Sequence, residues 1–399
     1  MIYFDNSATT KILPEVFEAM IPYLTEEYGN PSSKYYKLAV NAKDAVESAR
    51  EQVAKLIGAT PEEVIFTSGA TESTNMIIKG VSDYKKYYEN KGNHILTTTV
   101  EHEATLNTCK FLNGDVYSND DAVFTFGQSN PKVDRGFEVD FLGVNEYGQL
   151  CAETLENAIR PTTSIVSVIW ANNEIGSIND IKALAEICHR KGTVIHTDAT
   201  QIVGKLSIDV KDAGVDFVSM SAHKLHGPKG IGAAYIKGDD YGLPPFSAFM
   251  HGGKQENGMR GSTLSVHNIV GFGKAAEIAI RDKEIRHKKM LALDTMCLSL
   301  LKGIEYIGLL GDPENRLPGV FSIVVNKDDF NNERFIKKVS DEFAISTGSA
   351  CTAGKPSHVL QAIGKGDFTS KVLRVSISHF EEKEEIELYI KKLIDAIGM

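Results

Sequence analysis

The stretch Ser221-Ala-His-Lys224-Leu-His-Gly-Pro-Lys-Gly230 directly follows the largely apolar run Val215–Met220. Such a run, ending in a serine, a histidine and a lysine, reads as a buried strand that delivers three reactive side chains to the mouth of a core, where open α/β sheets bind ligands. A lysine held there is desolvated, which lowers its pKa, and the neutral amine can form a Schiff base with an aldehyde. Four more segments end in the same way. The run Val64–Thr67 leads into Ser68-Gly-Ala-Thr71, where the free amides at Ala70 and Thr71 and the Thr71 hydroxyl open a helix and suit a phosphate. Residues 94–100 end in Glu101-His102, residues 164–170 in Ala171-Asn-Asn173, and residues 193–198 in Asp198, followed by Gln201.

Strands alternating with helices from about residue 64 to 237 predict an α/β fold with a mostly parallel, doubly wound sheet. In such a sheet the C-terminal strand ends open on one edge, so these residues converge although they are far apart in sequence. Together they fit an aromatic heterocyclic aldehyde bearing a phosphate, pyridoxal 5′-phosphate. Lys224 takes the aldehyde, and Asp198 keeps the pyridine nitrogen protonated so that the ring accepts electrons. His102 stacks on the ring and moves protons. Asn173 and Gln201 bond the phenolic oxygen, with Asn173 also near the substrate. Ala70, Thr71, Ser221 and His223 hold the phosphate.

The elements around this edge are less eventful. A helical pattern from about residue 34 to 57 stops at Gly58, with Ser32 and Ser33 as caps, and residues 113–149 look polar and irregular. A glycine-rich loop over 250–263 links to a helix-rich stretch over about 266–306. Strands at 319–325 and 372–377 and helices near 331–342 and 383–397 then complete an α+β unit. The expected division is a large cofactor-binding domain, 14–257, and a smaller α+β domain made of 1–13 and 258–399.

Composition narrows the function. The 399 residues carry a net charge of −10, which argues against nucleic acid or an anionic membrane as partner. No apolar run approaches the length of about 18 residues needed to span a bilayer, and Met1–Asp5 lacks the features of a signal peptide, so the expected location is cytoplasmic. The five cysteines form no CxxC pair, and His223, His226 and His251 have no cysteine or carboxylate nearby to complete a metal set, so no metal is expected.

Ordered motifs run the length of the chain: Tyr3-Phe-Asp-Asn-Ser-Ala-Thr-Thr10, Gly29-Asn-Pro-Ser-Ser33, Thr67-Ser-Gly-Ala-Thr-Glu-Ser73, Glu101-His102, Asn172-Asn-Glu-Ile-Gly176, His196-Thr-Asp-Ala-Thr-Gln201, Ser221-Ala-His-Lys224, Gly227-Pro-Lys-Gly-Ile-Gly232 and Ser349-Ala-Cys-Thr352. With them the chain resembles class V (fold type I) pyridoxal-phosphate enzymes, and within these the cysteine desulfurases of the NifS/IscS type. The resemblance implies that Cys351 is the nucleophile that takes sulfur from L-cysteine, leaving alanine and an enzyme persulfide. It sits in a small-residue loop, Ser346–Gly354, of a kind suited to carrying a thiol. The resemblance further implies that Arg374 clamps the substrate carboxylate and that Thr263 reaches the phosphate of a neighbouring subunit, hence a homodimer with shared sites. The sulfur acceptor is then an iron–sulfur scaffold or a tRNA-thiolation relay. The alternative is another class V activity, a selenocysteine lyase or a small amino-acid aminotransferase. Three departures stand out: the stretch after Cys351 is shorter than the usual form, Arg260-Gly-Ser-Thr263 reverses a commoner Ser-Gly order, and residues 113–149 look expanded.

Overall fold

In a computed structural model, residues 1–116, 131–239, 242, 244–348 and 356–398 are described. The chain opens with the short strand β1 (Ile2–Tyr3) and then a helix-rich segment. The helix Lys37–Ile57 buries Ala39, Ala42, Val46, Ala49, Val53, Ala54 and Ile57, the three-and-four spacing of one helix face. It begins after Tyr36 without a side-chain cap, so the serines expected to start it do not do so. It ends at Gly58, whose φ of +73° is left-handed and where a Cβ would lie 2.7 Å from the Asp209 carboxyl carbon.

The central sheet contains β2 (Val64–Thr67), β3 (His94–Thr98), β4 (Glu138–Leu142), β5 (Thr163–Ile169), β6 (Val194–Asp198), β7 (Phe217–Ser221) and β8 (Gly232–Ile236), in the order β2-β8-β7-β6-β5-β3-β4. From β4 to β7 every pairing is parallel; β8 runs antiparallel to both its neighbours. All residues of β2, β3, β5, β7 and β8 are buried, as a sheet covered on both faces requires. The α/β expectation holds. One strand, β4, lies inside the segment expected to be irregular: it is an edge strand with only Val139 buried, so its apolar signal is weak.

A second sheet, β12-β10-β9, is built from β9 (Ile307–Leu310), β10 (Val320–Val325) and β12 (Val372–Ser376), all antiparallel, while β11 (Phe343–Ala344) pairs parallel with β1. Phe4, Phe321, Phe343, Leu373 and Tyr389 share one apolar cluster, so the N-terminus packs with the C-terminal elements. The helix Val266–Arg281 follows residue 257, yet its Val266, Ile269, Phe272 and Ala276 join the cluster of Val46, Ala49 and Phe66 beside the large sheet. Packing therefore changes near residue 282, beyond the expected boundary at 257/258.

Candidate active site

The ends of β2, β3, β5, β6 and β7 surround a cavity of about 430 Å³. Two antiparallel steps, β7 to β8 and β8 to β2, restore the direction of β2 to that of β7, so Thr71 arrives at the same edge as the rest. Ala70, Thr71, His102, Asn173, Asp198, Gln201, Ser221, His223, Lys224 and Arg374 all line it. Thr263 does not; it is exposed. Cys351 lies outside the described residues.

Lys224 ends a single 3-10 turn that continues β7. Its Nζ donates to the carbonyl of Ser7 and, at 2.8 Å, to that of Ala8. The turn supplying these carbonyls is pinned to the lysine loop: Thr10 N and Oγ1 both donate to the His223 carbonyl at 2.9 Å, and His226 N donates to Thr10 Oγ1 at 2.8 Å. Sequence reasoning passed over Ser7 and Ala8 because they act through backbone oxygens, which no side-chain pattern reveals.

The next strand end carries Asp198, 4% exposed, whose Oδ1 accepts from Thr200 N at 3.0 Å. His102 caps the helix Glu103–Leu112, with Nδ1 accepting from Ala104 N at 3.1 Å. That bond requires an unprotonated Nδ1, so the neutral ring carries its proton on Nε2. Burial holds the His102 pKa below its ordinary value, the Lys224 charge acting with it and the Asp198 carboxylate against it. Gln201 is fixed at both ends of its amide, donating from Nε2 to Ser7 O and accepting from Lys205 Nζ, each at 2.9 Å.

The opposite wall is the start of the helix Ala70–Asp83, whose N-cap residue Gly69 has no side chain to bond the first amides. Glu72, an acid that would repel a phosphate there, is turned aside: it accepts from Ser68 N at 2.7 Å and is paired with Arg260 at 2.7 Å. His223 bonds Thr9 Oγ1 through Nδ1 at 3.1 Å, and burial, with the Lys224 and Lys229 charges, pushes its pKa down to about 4. Two hydroxyls lining the cavity, Ser7 Oγ and Thr200 Oγ1, are buried with no partner among the described residues. An amine, a carboxylate, an imidazole, uncapped helix amides and orphan hydroxyls around this volume fit a phosphorylated, hydroxylated pyridine aldehyde.

Arg374, 2% exposed, reaches the cavity from β12. Its guanidinium donates to Asp5 Oδ1 at 2.7 Å, to Asn173 O at 3.3 Å and to Gly348 O. Ser357 donates to Glu174 at 2.6 Å. Gly348 and Ser357 flank the segment that contains Cys351, and both are bonded to residues lining the cavity.

Comparison with known proteins shows what the whole chain is similar to. The family described as Aminotransferase class-V matches residues 2–116 and 129–389. Cysteine desulfurase IscS of Neisseria meningitidis is 41% identical over 400 residues, covering 100% of this chain and 92% of its own length. The IscS of Photorhabdus laumondii is 40% identical over 402 residues, covering 100% and 93%. Among solved structures, a NifS-like protein superimposes with a TM-score of 0.86 at 32% identity, covering 100% of this chain and 99% of its own. SspA in complex with cysteine gives a TM-score of 0.76 at 32% identity, covering 96% and 100%.

Proposed function

We propose that this chain, which belongs to the aminotransferase class-V family, is a cysteine desulfurase that removes sulfur from L-cysteine and stores it as a persulfide on Cys351. The observation that carries the reading is that Lys224, Asp198, His102 and Arg374 line one cavity to which both flanks of the Cys351 segment are bonded. Pyridoxal 5′-phosphate, when bound, supplies an aldehyde carbon and an electron-accepting ring. Lys224 would hold that carbon and is placed to move the proton of the substrate Cα, Asp198 would hold a proton on the ring nitrogen, and His102 would lie against the ring. Asn173 and Gln201 would bond the ring oxygen, and Ala70, Thr71, Ser221 and His223 would hold the phosphate. Arg374 binds the substrate carboxylate through its planar fork, with Asn173 beside it.

The thiolate of Cys351 attacks the substrate sulfur. A sulfur–sulfur bond forms as the substrate carbon–sulfur bond breaks, and the electron pair left on carbon takes a proton to give alanine. Thr263, exposed in this chain, completes the phosphate site of a partner subunit in a homodimer. The larger domain ends near residue 282, where the packing changes, and the sulfur passes to an acceptor protein serving iron–sulfur or tRNA thiolation.

The test is to supply L-cysteine with a thiol reductant and measure alanine and sulfide for the wild type and Cys351→Ala. The proposal expects both products from the wild type and loss of sulfide release in the variant. Equal sulfide from both would remove Cys351 from the reaction, and turnover without sulfide would favour an aminotransferase.

A further inference from the structure

Lys224 contributes to the walls of two cavities. The second, of about 60 Å³, lies where the loops after β6 and β7 meet the helix Lys283–Leu301 and the end of β12. Among the described residues its ionisable lining is Lys205, Lys224, His226, Arg286, His287 and His379, with no carboxylate, on a chain whose net charge is −10. A more open depression of about 190 Å³ shares Lys205 and Arg286 with it and adds Lys55 and Lys283, again without an acid among the described residues. The two cavities therefore share a cationic wall.

Arg286 makes no side-chain hydrogen bond or ion pair among the described residues, and its Nε is buried without a partner. The carboxylates closest to it electrostatically, Asp282 and Glu15, are both held by Arg281, at 2.8–2.9 Å. The crowding of positive charge shows in the neighbours. Burial, with the Lys224 and Arg374 charges, pushes the Lys205 ammonium down to about 7, and burial and nearby cations push His226 to about 4 and His379 to about 3. The Arg286 guanidinium is half-buried with its Nε unpartnered among the described residues, and a bound anion offsets the cost of desolvating it. Guanidinium and ammonium groups only donate, so the occupant must accept and carry negative charge, which excludes metal cations and amines. The volume admits a group equivalent to a few waters and excludes a nucleotide.

The geometry points to a binding site for a small inorganic oxyanion of the size of sulfate or phosphate, held by Arg286 and Lys205 on the far side of Lys224 from the nearest phosphate-binding turn.

The experiment is equilibrium dialysis of radiolabelled sulfate at millimolar concentration against wild type, Arg286→Gln and Lys205→Gln, each saturated with pyridoxal phosphate so that the Ser68–Thr71 turn is filled. Selenate-soaked crystals locate the ion by anomalous scattering. The expected result is one sulfate per chain, a selenate peak between Arg286 and Lys205, and affinity at least 10-fold weaker in each folded variant. Should Arg286→Gln not fold, Lys205→Gln carries the comparison. Absence of specific sulfate binding, a selenate peak elsewhere, or undiminished affinity in the folded variants would overturn the proposal.

Discussion

Arg374 and Asp5, 369 positions apart, form a 2.7 Å ion pair with the guanidinium 2% exposed. The contact joins β12 to the turn after β1, and the next bonds of that guanidinium reach Asn173 and Gly348. A side chain fixed from three directions presents a preset fork to the cavity. Lysine keeps the charge but not the fork. Arg374→Lys is therefore expected to raise the KM for L-cysteine by about 10²-fold, equivalent to about 2.7 kcal/mol, while cofactor absorbance is retained. Steady-state kinetics beside the absorption spectrum check this; an unchanged KM removes Arg374 from substrate binding.

Asp198 stands at the end of β6 with one oxygen held by Thr200 N. Replacing it with asparagine keeps the shape and removes the charge that, in the proposed function, would hold the proton on the ring nitrogen of pyridoxal phosphate. Asp198→Asn is expected to lower kcat by about 10²–10³-fold, the scale for loss of one preorganised electrostatic partner, while Lys224 still retains the cofactor. Loss of the cofactor band along with activity would instead assign Asp198 to binding.

The strand ends were legible because an apolar run that stops at a polar side chain is a local signal. That signal found Thr71, His102, Asn173, Asp198 and Lys224, all of which line the cavity. What holds Lys224, the carbonyls of Ser7 and Ala8, was illegible because any residue has a carbonyl. The helix Val266–Arg281 shows a related limit: an apolar face announces that it will be buried but not against which core. Glu101 is a third case: it is fully buried, which a charged residue beside His102 and Glu103 does not announce.

A buried ion pair fixes the glycine-rich loop. Arg50 donates from both terminal nitrogens to Glu256 at 2.8 Å, and Glu256 also accepts from Phe66 N at 2.7 Å, although its own φ is +47°. A non-glycine residue in the left-handed region is costly and needs such anchoring. Removing one partner leaves the other charge buried alone, so Arg50→Met or Glu256→Gln is expected to destabilise the protein by about 3–5 kcal/mol. Thermal unfolding checks this. Double replacement, Arg50→Met with Glu256→Gln, should recover part of the loss; additive losses would mean that the two residues act separately.

Glu101 accepts from Thr98 Oγ1 at 2.6 Å and Ile169 N at 2.9 Å through one oxygen, while the other is buried with no partner among the described residues. Burial pushes its pKa up to about 8, against the bonds from Thr98 and Ile169 and with help from the Asp198 carboxylate. The folded protein therefore keeps a proton on Glu101 at neutral pH while the unfolded chain has lost it. Below the ordinary pKa of about 4.5 both states hold the proton; as pH rises from there through about 8, only the folded state does, so this group lowers stability progressively across that window, by about 4 kcal/mol at pH 8. Glu101→Gln removes the titration while keeping an acceptor for Thr98 and Ile169. The variant is expected to lose less stability than the wild type between pH 5 and pH 8 when thermal midpoints are compared. Parallel curves for the two proteins would show that Glu101 ionises in the folded state at its ordinary pKa.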